Sequence, residues 1–481
     1  MLSLQSILVR LSQPLELAGW DAHDRPARHK TLREAIAWSH DLLDDTERAV
    51  FRHLAIFVGG CTLEAAAAIC GADQTAARVD VEQRTLDVLT SLIEKQLLRH
   101  SVEQDGTSRY RMLETIHAFA QECLTTSDEV EMVQRRHAAY YLALAVAAVE
   151  GQDPLANRSA NGLDQELDNF RAILQWSLTT GEALIGLRLA EVLAGRWAPL
   201  GLHEEGRRWL AALLARAPEP TGARASGLNA MAYLALRQGD YAAATALLEE
   251  SVALARSLGD GRRLARAHLY QGMVAHALDR SEEAMALYDA SLHILRDAGD
   301  EGSMTGVLRN LADLLYEQRD LERARTTYEE ALAVSRRIGH AHDAAYAQRG
   351  LGHVARAMGE LHVAAELYRA SLLAFRQLDD RRCMPFCVEG LACLASDAGS
   401  AERAVYLFGA AQALRDAIGV VLPPAERADH DQCLAAAHAL LNEHRFALAW
   451  QAGAAMDLEQ AVRYALVPLA AAISDRVVAH K

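Results

Sequence analysis

The sequence predicts an all-α fold in which an α-solenoid of helical hairpins, each about 40 residues long, follows a small helical domain. Three observations support this. From about residue 226 to residue 419, small and bulky residues recur at one fixed spacing. Hydrophobic residues make up 51% of the chain and aromatic residues only 6%, and a composition rich in alanine and leucine favours helices. The 481 residues exceed what one compact core holds, so several domains or an elongated array are expected.

The repeat consists of small and bulky positions that five successive units share. One position is always alanine: Ala244, Ala284, Ala324, Ala364 and Ala404. Four residues later, one helical turn along the same face, a bulky residue follows: Leu248, Tyr288, Tyr328, Tyr368 and Phe408. Twelve residues before the alanine lies another small residue: Ala232, Gly272, Ala312, Gly352 and Ala392. Because small residues let two helices approach closely, each unit is predicted to be a tightly packed helical pair.

Turn residues separate the helices and the units, as Gly239-Asp240 does within the first unit and Gly259-Asp260 does after it. Glycine adopts the left-handed conformation that closes a helix. Repeats of about 20 to 50 residues are typical of solenoids, because one hairpin cannot bury its own apolar face. The spacing of the small and bulky positions resembles the tetratricopeptide repeat, lengthened from its usual ~34 residues. A tetratricopeptide-like α-solenoid is therefore expected.

A small domain precedes the repeats and begins near Thr31, which forms a capping-box pattern with Glu34. Further helices are expected up to Leu97. Two short strands, Leu98–Val102 and Ser108–Leu113, then form a hairpin through an Asp-Gly turn, and another helix closes the domain. Helices followed by a two-stranded wing are typical of a winged helix.

Prolines mark the borders of the regular repeats, with Pro218 and Pro220 before them and Pro423-Pro424 after them. The helices beyond are expected to cover the exposed face of the last repeat. The expected organisation is a partial N-terminal segment (1–30), a winged-helix domain (31–126), a helical bridge with a degenerate repeat (127–218), tetratricopeptide-like repeats (219–420) and a C-terminal helical cap (421–481).

Several segments of the chain resemble large bacterial signal-transduction ATPases of the STAND class, including SARP- and LuxR-type transcriptional regulators. The segments are Thr31–Leu43, Phe51–Ala66, Tyr110–Ile116, Glu166–Ala172, Gly206–Leu210 and Leu422–Arg427. In that family a nucleotide-binding module precedes a winged helix and a tetratricopeptide array. The resemblance covers nearly the whole chain. It implies that this chain corresponds to the C-terminal part of such a regulator and is a regulatory and protein-binding module.

The chain departs from this family in its nucleotide chemistry. A phosphate-binding loop of the form GxxxxGK[ST] is absent from the sequence, whose three lysines are Lys30, Lys95 and Lys481. Related proteins sense the nucleotide with a histidine in a Met-His-Asp motif, and the matching residues here are Met112-Leu113-Glu114. We therefore expect no cofactor in this chain, and a nucleotide-binding domain only upstream or in a separate chain.

Charge and motifs exclude other classes of protein. The formal net charge of −15 argues against a general nucleic-acid or anionic-membrane surface. No apolar run reaches the roughly 20 residues of a membrane span, and the seven cysteines form no CxxC pair, so a reduced cytoplasmic protein is expected. Cys383, Cys387 and Cys393 cluster at helical positions where core packing is favoured over a metal site. No metal, nucleophile or acid–base motif appears, and an enzyme is not expected.

The winged helix raises the alternative of DNA binding through the helix Thr85–Leu97. Its exposed positions are expected to be Asp87, Thr90, Ser91, Glu94 and Gln96, with Lys95 as its cation. DNA affinity depends on Lys and Arg contacts to phosphates, so this helix is poorly suited to a groove. A regulatory or packing role is favoured.

The tetratricopeptide resemblance implies that the first helix of each unit lines a concave face. The register assigns twelve residues to it: Arg266, Met273, His276, Arg309, Asp313, Tyr316, Tyr346, Arg349, His353, Arg356, Phe386 and Glu389. Arginine and aromatic residues are typical of binding hot spots. The cations Arg309, Arg349 and Arg356 favour an acidic peptide or a terminal carboxylate, whereas each residue taken singly also fits a solvated surface.

Three hypotheses follow. The first is a regulatory module of a STAND-type regulator, whose array binds a protein or peptide. The second is a DNA-binding transcriptional regulator acting through the winged helix. The third is a portion of an ATP-hydrolysing switch that lacks its nucleotide-binding domain.

Overall fold

The computed structural model describes residues 32–71, 78–103, 106–150, 163–420, 422 and 424–468. Described residues up to 150, together with 163–196 and 208–218, form the first compact unit. Residues 197–207 and the described residues from 219 onward form the second. The predicted helix cap at Thr31 lies outside the described residues.

Helices and one hairpin make up the N-terminal half of the described chain. In order they are α1 (Leu32–Asp41), α2 (Asp45–Leu54), α3 (Leu63–Cys70), α4 (Arg78–Glu94), β1 (Arg99–Val102), β2 (Ser108–Arg111), α5 (Glu114–Thr125), α6 (Val130–Glu150), α7 (Leu167–Thr180), α8 (Ala183–Trp197) and α9 (His203–Arg216). The strands pair antiparallel, with Arg99 opposite Arg111 and Val102 opposite Ser108. Helices α1 to α5 around this hairpin form the predicted winged helix.

A buried ionic network ties the wing to α7 within the first unit. Arg109 of β2 donates to Glu166 at 2.5 Å and to the carbonyl of Gly60 at 3.1 Å. Asn169 and Tyr141 also donate to Glu166, at 2.6 and 3.1 Å. Burial alone would lower the pKa of Arg109, but the hydrogen bond and charge of Glu166 raise it. The guanidinium is therefore held in a sealed site, in which both Nη atoms are hydrogen-bonded and Nε has no partner among the described residues.

Five helical hairpins and three further helices follow. They are α10 (Gly222–Arg237), α11 (Tyr241–Leu258), α12 (Gly261–Ala277), α13 (Ser281–Asp297), α14 (Glu301–Glu317), α15 (Leu321–Arg337), α16 (Ala341–Ala357), α17 (Leu361–Gln377), α18 (Met384–Asp397), α19 (Ala401–Ala417), α20 (Pro424–Ala439), α21 (Glu443–Ala454) and α22 (Leu458–Leu466). Each of α10 to α19 packs against the next in sequence. The predicted all-α solenoid behind a winged helix is confirmed.

The repeating positions explain why the hairpins pack. All five alanines of the shared column are 0% exposed, and the two helices of each unit pack against each other. A Cβ atom at Gly272 would lie 2.5 Å from the ring of Tyr288, so the glycine admits that ring between two helices. Ser291 and Ser371 each donate a hydrogen bond to a backbone carbonyl of the preceding helix, at 2.8 Å. The core is thus repeated unit by unit.

Aspartates cap many of these helices, as Asp260 does by accepting from the backbone N–H of Arg263. Within the described ranges, none of the helices combines the length and apolarity needed to cross a lipid bilayer.

Candidate protein-binding face

All twelve residues assigned to the concave face lie on the first helices of the hairpins. Helix α12 carries Arg266, Met273 and His276; α14 carries Arg309, Asp313 and Tyr316; α16 carries Tyr346, Arg349, His353 and Arg356; α18 carries Phe386 and Glu389. Successive first helices contact one another. We call the surface that α12, α14, α16 and α18 form the inner face.

Aromatic rings and guanidinium groups alternate at the centre of the inner face. Arg309 lies over the ring of Tyr346, with 5.1 Å from its guanidinium carbon to the ring centroid. Arg349 lies over the same ring at 5.6 Å and over Phe386 at 5.5 Å. Cation–π contacts of this kind hold the two cations in place without neutralising them. Arg309 makes no ion pair with any residue that the structure describes.

Helix α20 lies on part of the inner face and supplies carboxylates to its cations. Arg349 donates to Glu426 at 2.7 Å. Arg356 donates to Asp429 at 2.7 Å, and the hydroxyl of Tyr316 donates to the same carboxylate at 2.8 Å. These contacts join α14 and α16 to a helix that follows the last hairpin. A helix that only covered the last repeat would not need contacts with α14 and α16.

A second set of contacts fixes the middle of α20. Glu389 of α18 is buried and bonds to both Arg415 and His430. Cys433 accepts from Arg356 at 3.4 Å, and its backbone carbonyl accepts from Ser396 at 2.8 Å. Glu389, predicted as a partner-binding residue, is therefore occupied within the chain.

The other predicted residues vary in how far they are engaged. His276 bonds to Glu317 at 2.6 Å, and this hydrogen bond raises the pKa of the imidazole. Asp313 accepts from Tyr328, while its burial raises the pKa of the carboxyl group. Met273 packs against the cores of the neighbouring hairpins, and Arg266 is half-buried on α12. The charges of Arg309 and Arg349 act on Asp313 and oppose the rise in its pKa, so Asp313 lies with the cations at the centre of the inner face.

His353 lies in the same region as the ion pairs to α20. Its Nδ1 bonds to the hydroxyl of Tyr368 at 2.9 Å, whereas its Nε2 is buried and has no hydrogen-bond partner among the described residues. Burial, together with the charge of Arg349, lowers the pKa of His353 to about 4. The ring is therefore neutral near pH 7.

Residues of α20 were missed as functional residues by sequence reasoning. Glu426 and Asp429 are three residues apart and so share one face of a helix. That spacing, on a helix that follows an array with a cationic inner face, was the available signal. It becomes informative only when the cations of the inner face are considered together with it.

A mixed cluster on the array has the donor types of a metal site. One ligand atom each from His342, Asp380 and Cys383 lies within 4.8 Å of the others. His342 bonds to Asp380 at 2.8 Å, and two repeats earlier Arg262 bonds to the capping Asp300 at the same distance. The pair is thus a contact between repeats, and burial raises the pKa of the Cys383 thiol, which disfavours the thiolate that a metal needs.

The predicted DNA-reading helix corresponds to α4 and the turn after it. Lys95 lies 2.5 Å from Glu47 and is therefore neutralised within the chain. Asp87 and Glu94 are exposed on this segment, and Arg84 is exposed one turn earlier. Carboxylates thus outnumber the available cations on the surface that would enter a DNA groove.

Comparisons with known proteins agree with these features. A model described as a winged helix-turn-helix domain matches residues 43–125, and one described as a tetratricopeptide repeat matches residues 303–377. A Mycobacterium tuberculosis protein with the provisional name of HTH-type transcriptional regulator is 35% identical over 281 residues, which cover 54% of this chain and 31% of that protein. An uncharacterized protein of the same species is 33% identical over 138 residues, covering 28% of this chain and 33% of its own length. The aligned regions span about a third of these relatives.

Solved structures share parts of the architecture. A STAND protein with a tetratricopeptide repeat sensor from Pyrococcus horikoshii is 16% identical, with 95% of this chain and 67% of that chain covered and a TM-score of 0.48. BtubC from P. vanneervenii is 22% identical, with 49% and 94% covered and a TM-score of 0.38. Scores below 0.5 carry no conclusion about function. The matched models and aligned relatives show that the chain combines a winged helix-turn-helix domain with tetratricopeptide repeats, as does the C-terminal part of the STAND-class regulators that its sequence resembles.

Proposed function

We propose that this chain is the regulatory part of a transcriptional regulator, and that its array binds an acidic protein or peptide on the inner face. The observation that carries the proposal is Arg309, a cation placed over Tyr346 and left without an ion pair among the described residues. A partner carboxylate would gain a charge-assisted hydrogen bond there. The flanking aromatic rings add the contact area that binding hot spots favour.

The experiment that tests this proposal compares two charge reversals. Proteins captured by the chain from a lysate of its own cells are identified, remade and titrated against Arg309→Glu and against Arg336→Glu. Arg336 is exposed on α15, a second helix of a hairpin, and so serves as the matched control. We expect Arg309→Glu to weaken binding at least tenfold, about 1.4 kcal/mol, with no change for the control. Equal affinity of both variants would contradict the proposal.

DNA binding through the winged helix is the second candidate, because aligned relatives are named as HTH-type regulators and because Arg84 and Arg99 are exposed on α4 and β1. Arg84→Glu with Arg99→Glu should then abolish a salt-sensitive mobility shift of duplex DNA. Binding that survives this double reversal, or no shift in the wild-type chain, would leave the protein-binding function alone.

A nucleotide-binding domain, upstream or in a separate chain, belongs to the same proposal. The aligned region covers only 31% of the mycobacterial relative, so the activity of the whole protein is a proposal too. Intact-mass analysis of the protein isolated from its own cells distinguishes a chain of 52.5 kDa from a product larger by a few hundred residues.

A further inference from the structure

We infer that α20 is an internal ligand of the inner face, and that the partner is an acidic helical segment that displaces it. This inference rests on the proposed function, since it names the chemistry of the partner and a competitor for the same surface.

The charged contacts of α20 have the form of a bound ligand. Glu426 and Asp429, one helical turn apart, each accept from an arginine of α16 at 2.7 Å. Tyr316 and Arg319 approach the Asp429 carboxylate from the end of α14, at 2.8 and 3.7 Å. The helix thus meets the first helices of two hairpins with a pair of carboxylates, which is how an acidic helix from another protein would bind.

Few apolar contacts hold α20 in place. Among residues 426–439, those that are buried are His430, Cys433 and Ala437. Complete burial of one leucine or phenylalanine contributes about 1.5–3 kcal/mol, and α20 offers only Leu434, which is partly buried against the core of the array. By contrast, α19 buries Leu407 and Phe408 completely. The charged contacts of α20 differ in burial: the Glu389–His430 pair is buried, whereas the side chains of Arg349 and Glu426 are 15% and 23% exposed. Pairs that water reaches contribute less net stability than sealed ones, so the contacts of Glu426 and Asp429 are the ones that a partner would replace.

Arg309 gives an external helix an advantage over α20. It shares the ring of Tyr346 with Arg349, yet only Arg349 has a carboxylate from α20. A partner helix with carboxylates in the positions of Glu426 and Asp429, and one more that reaches Arg309, would form every pair that α20 makes with an arginine and one in addition. Small residues in the positions of Cys433 and Ala437 would let it approach α18 equally closely.

The first experiment uses the full chain and a labelled peptide of residues 424–439 with Cys433→Ser, followed by fluorescence anisotropy. The chain is tested as wild type and as the double variant Glu426→Gln with Asp429→Asn, which loosens α20 isosterically. The control is Glu402→Gln with Glu459→Gln, which removes two carboxylates of exposed ion pairs to Arg445 and Arg376. We expect the double variant to bind the peptide at least tenfold more tightly than the wild type and the control. A peptide that carries Glu426→Gln and Asp429→Asn should bind none of them.

The second experiment measures release of α20 directly. Cys433 is buried against Arg356 when α20 is bound. Its alkylation by iodoacetamide in the folded chain, read by peptide mass spectrometry, should become several-fold faster in the double variant and also when unlabelled peptide is added to the wild type. Far-UV circular dichroism checks that the double variant keeps its helices; if it unfolds, Asp429→Asn alone replaces it.

The outcomes separate this inference from the proposed function. Equal peptide affinity of wild type and double variant, with unchanged alkylation, would show that α20 is a fixed part of the fold and would overturn the inference. Faster alkylation without peptide binding would also overturn it, because α20 would then have left the inner face and the exposed face would still not bind an acidic helix. In either case the Arg309→Glu titration still tests whether a partner of another shape binds there.

Discussion

Two regions of the molecule use a carboxylate from a distant helix to hold an arginine, and they do so in opposite environments. In the first unit, Arg109 and Glu166 are sealed, with side chains 1% and 7% exposed. On the inner face, Arg349 and Glu426 are less deeply buried, with side chains 15% and 23% exposed. The first pair joins β2 to the start of α7 as a fixed contact. The second joins α16 to α20, which we propose is exchanged for a partner helix.

The difference lies in what replaces a lost partner. A charge sealed in the interior cannot be rehydrated, so removal of its counter-ion leaves an uncompensated buried charge. A charge that water reaches in part is rehydrated when its partner is lost, so its ion pair contributes less net stability. The same residue types thus provide a permanent joint in one region and a replaceable contact in the other.

The largest effect is expected when the same isosteric change is made in both regions. Glu166→Gln should destabilise the first unit by about 3–5 kcal/mol, because Arg109 stays buried without an anion. Glu426→Gln should destabilise the second unit by no more than about 1 kcal/mol. Hydrogen exchange at increasing urea concentrations, read by mass spectrometry, reports the two units separately.

Glu459→Gln serves as a control, because it removes a carboxylate from an exposed ion pair and should change neither unit measurably. A loss for Glu426→Gln as large as that for Glu166→Gln would show that the contacts of α20 are structural, and the contrast between the regions would fail.

The two regions should respond to acid in the same direction. Burial lowers the pKa of His137, beside Asn169 in the first unit, to about 4, and that of His353 to about 4. In the unfolded chain the pKa of histidine is about 6.5, so between these values the unfolded state binds the extra proton. Stability is therefore fully present above pH 6.5 and is lost as the pH falls towards 4.

For His137 the loss between pH 7.5 and pH 5.0 should be about 2 kcal/mol, and for His353, whose pKa is lowered as far, the loss should be similar. Urea unfolding at both pH values, compared with His137→Gln and His353→Gln, measures each contribution. A pH dependence that His137→Gln does not reduce would show that this histidine is already protonated in the folded chain.

The regular array could be predicted because its signal is local and repeated. The alanine position recurs five times from Ala244 to Ala404 and each time predicts a close contact between helices. Each of these alanines is buried, as such a contact requires. The wing could be predicted from an Asp-Gly turn between two short strands for the same reason. Local patterns decide which segments become helices and which of their faces are apolar.

Contacts between distant segments could not be predicted in this way. Lys95 was expected as an exposed cation, but Glu47, 48 residues earlier, neutralises it. The helices after the array were expected to cover the exposed face of the last repeat, but α20 also contacts Tyr316 and Arg349 of earlier repeats. Only the geometry of the inner face shows that Glu426 and Asp429 match Arg349 and Arg356, while Arg309 keeps its charge uncompensated by an ion pair among the described residues.

The last prediction concerns two glycines in the array, one that lies against a buried ring and one that faces open space. A Cβ atom at Gly352 would lie 2.8 Å from the ring of Tyr368, between two packed helices, whereas one at Gly306 would meet no atom within 4 Å. Gly352→Ala should therefore cost about 1–3 kcal/mol through overpacking, since the buried ring has no space into which to move. Gly306→Ala should instead stabilise α14 by up to about 1 kcal/mol, because alanine loses less conformational entropy in a helix. Thermal melting followed by circular dichroism measures both changes. Equal effects of the two substitutions would mean that the ring of Tyr368 can move. The interfaces between hairpins would then not be as closely packed as the structure indicates.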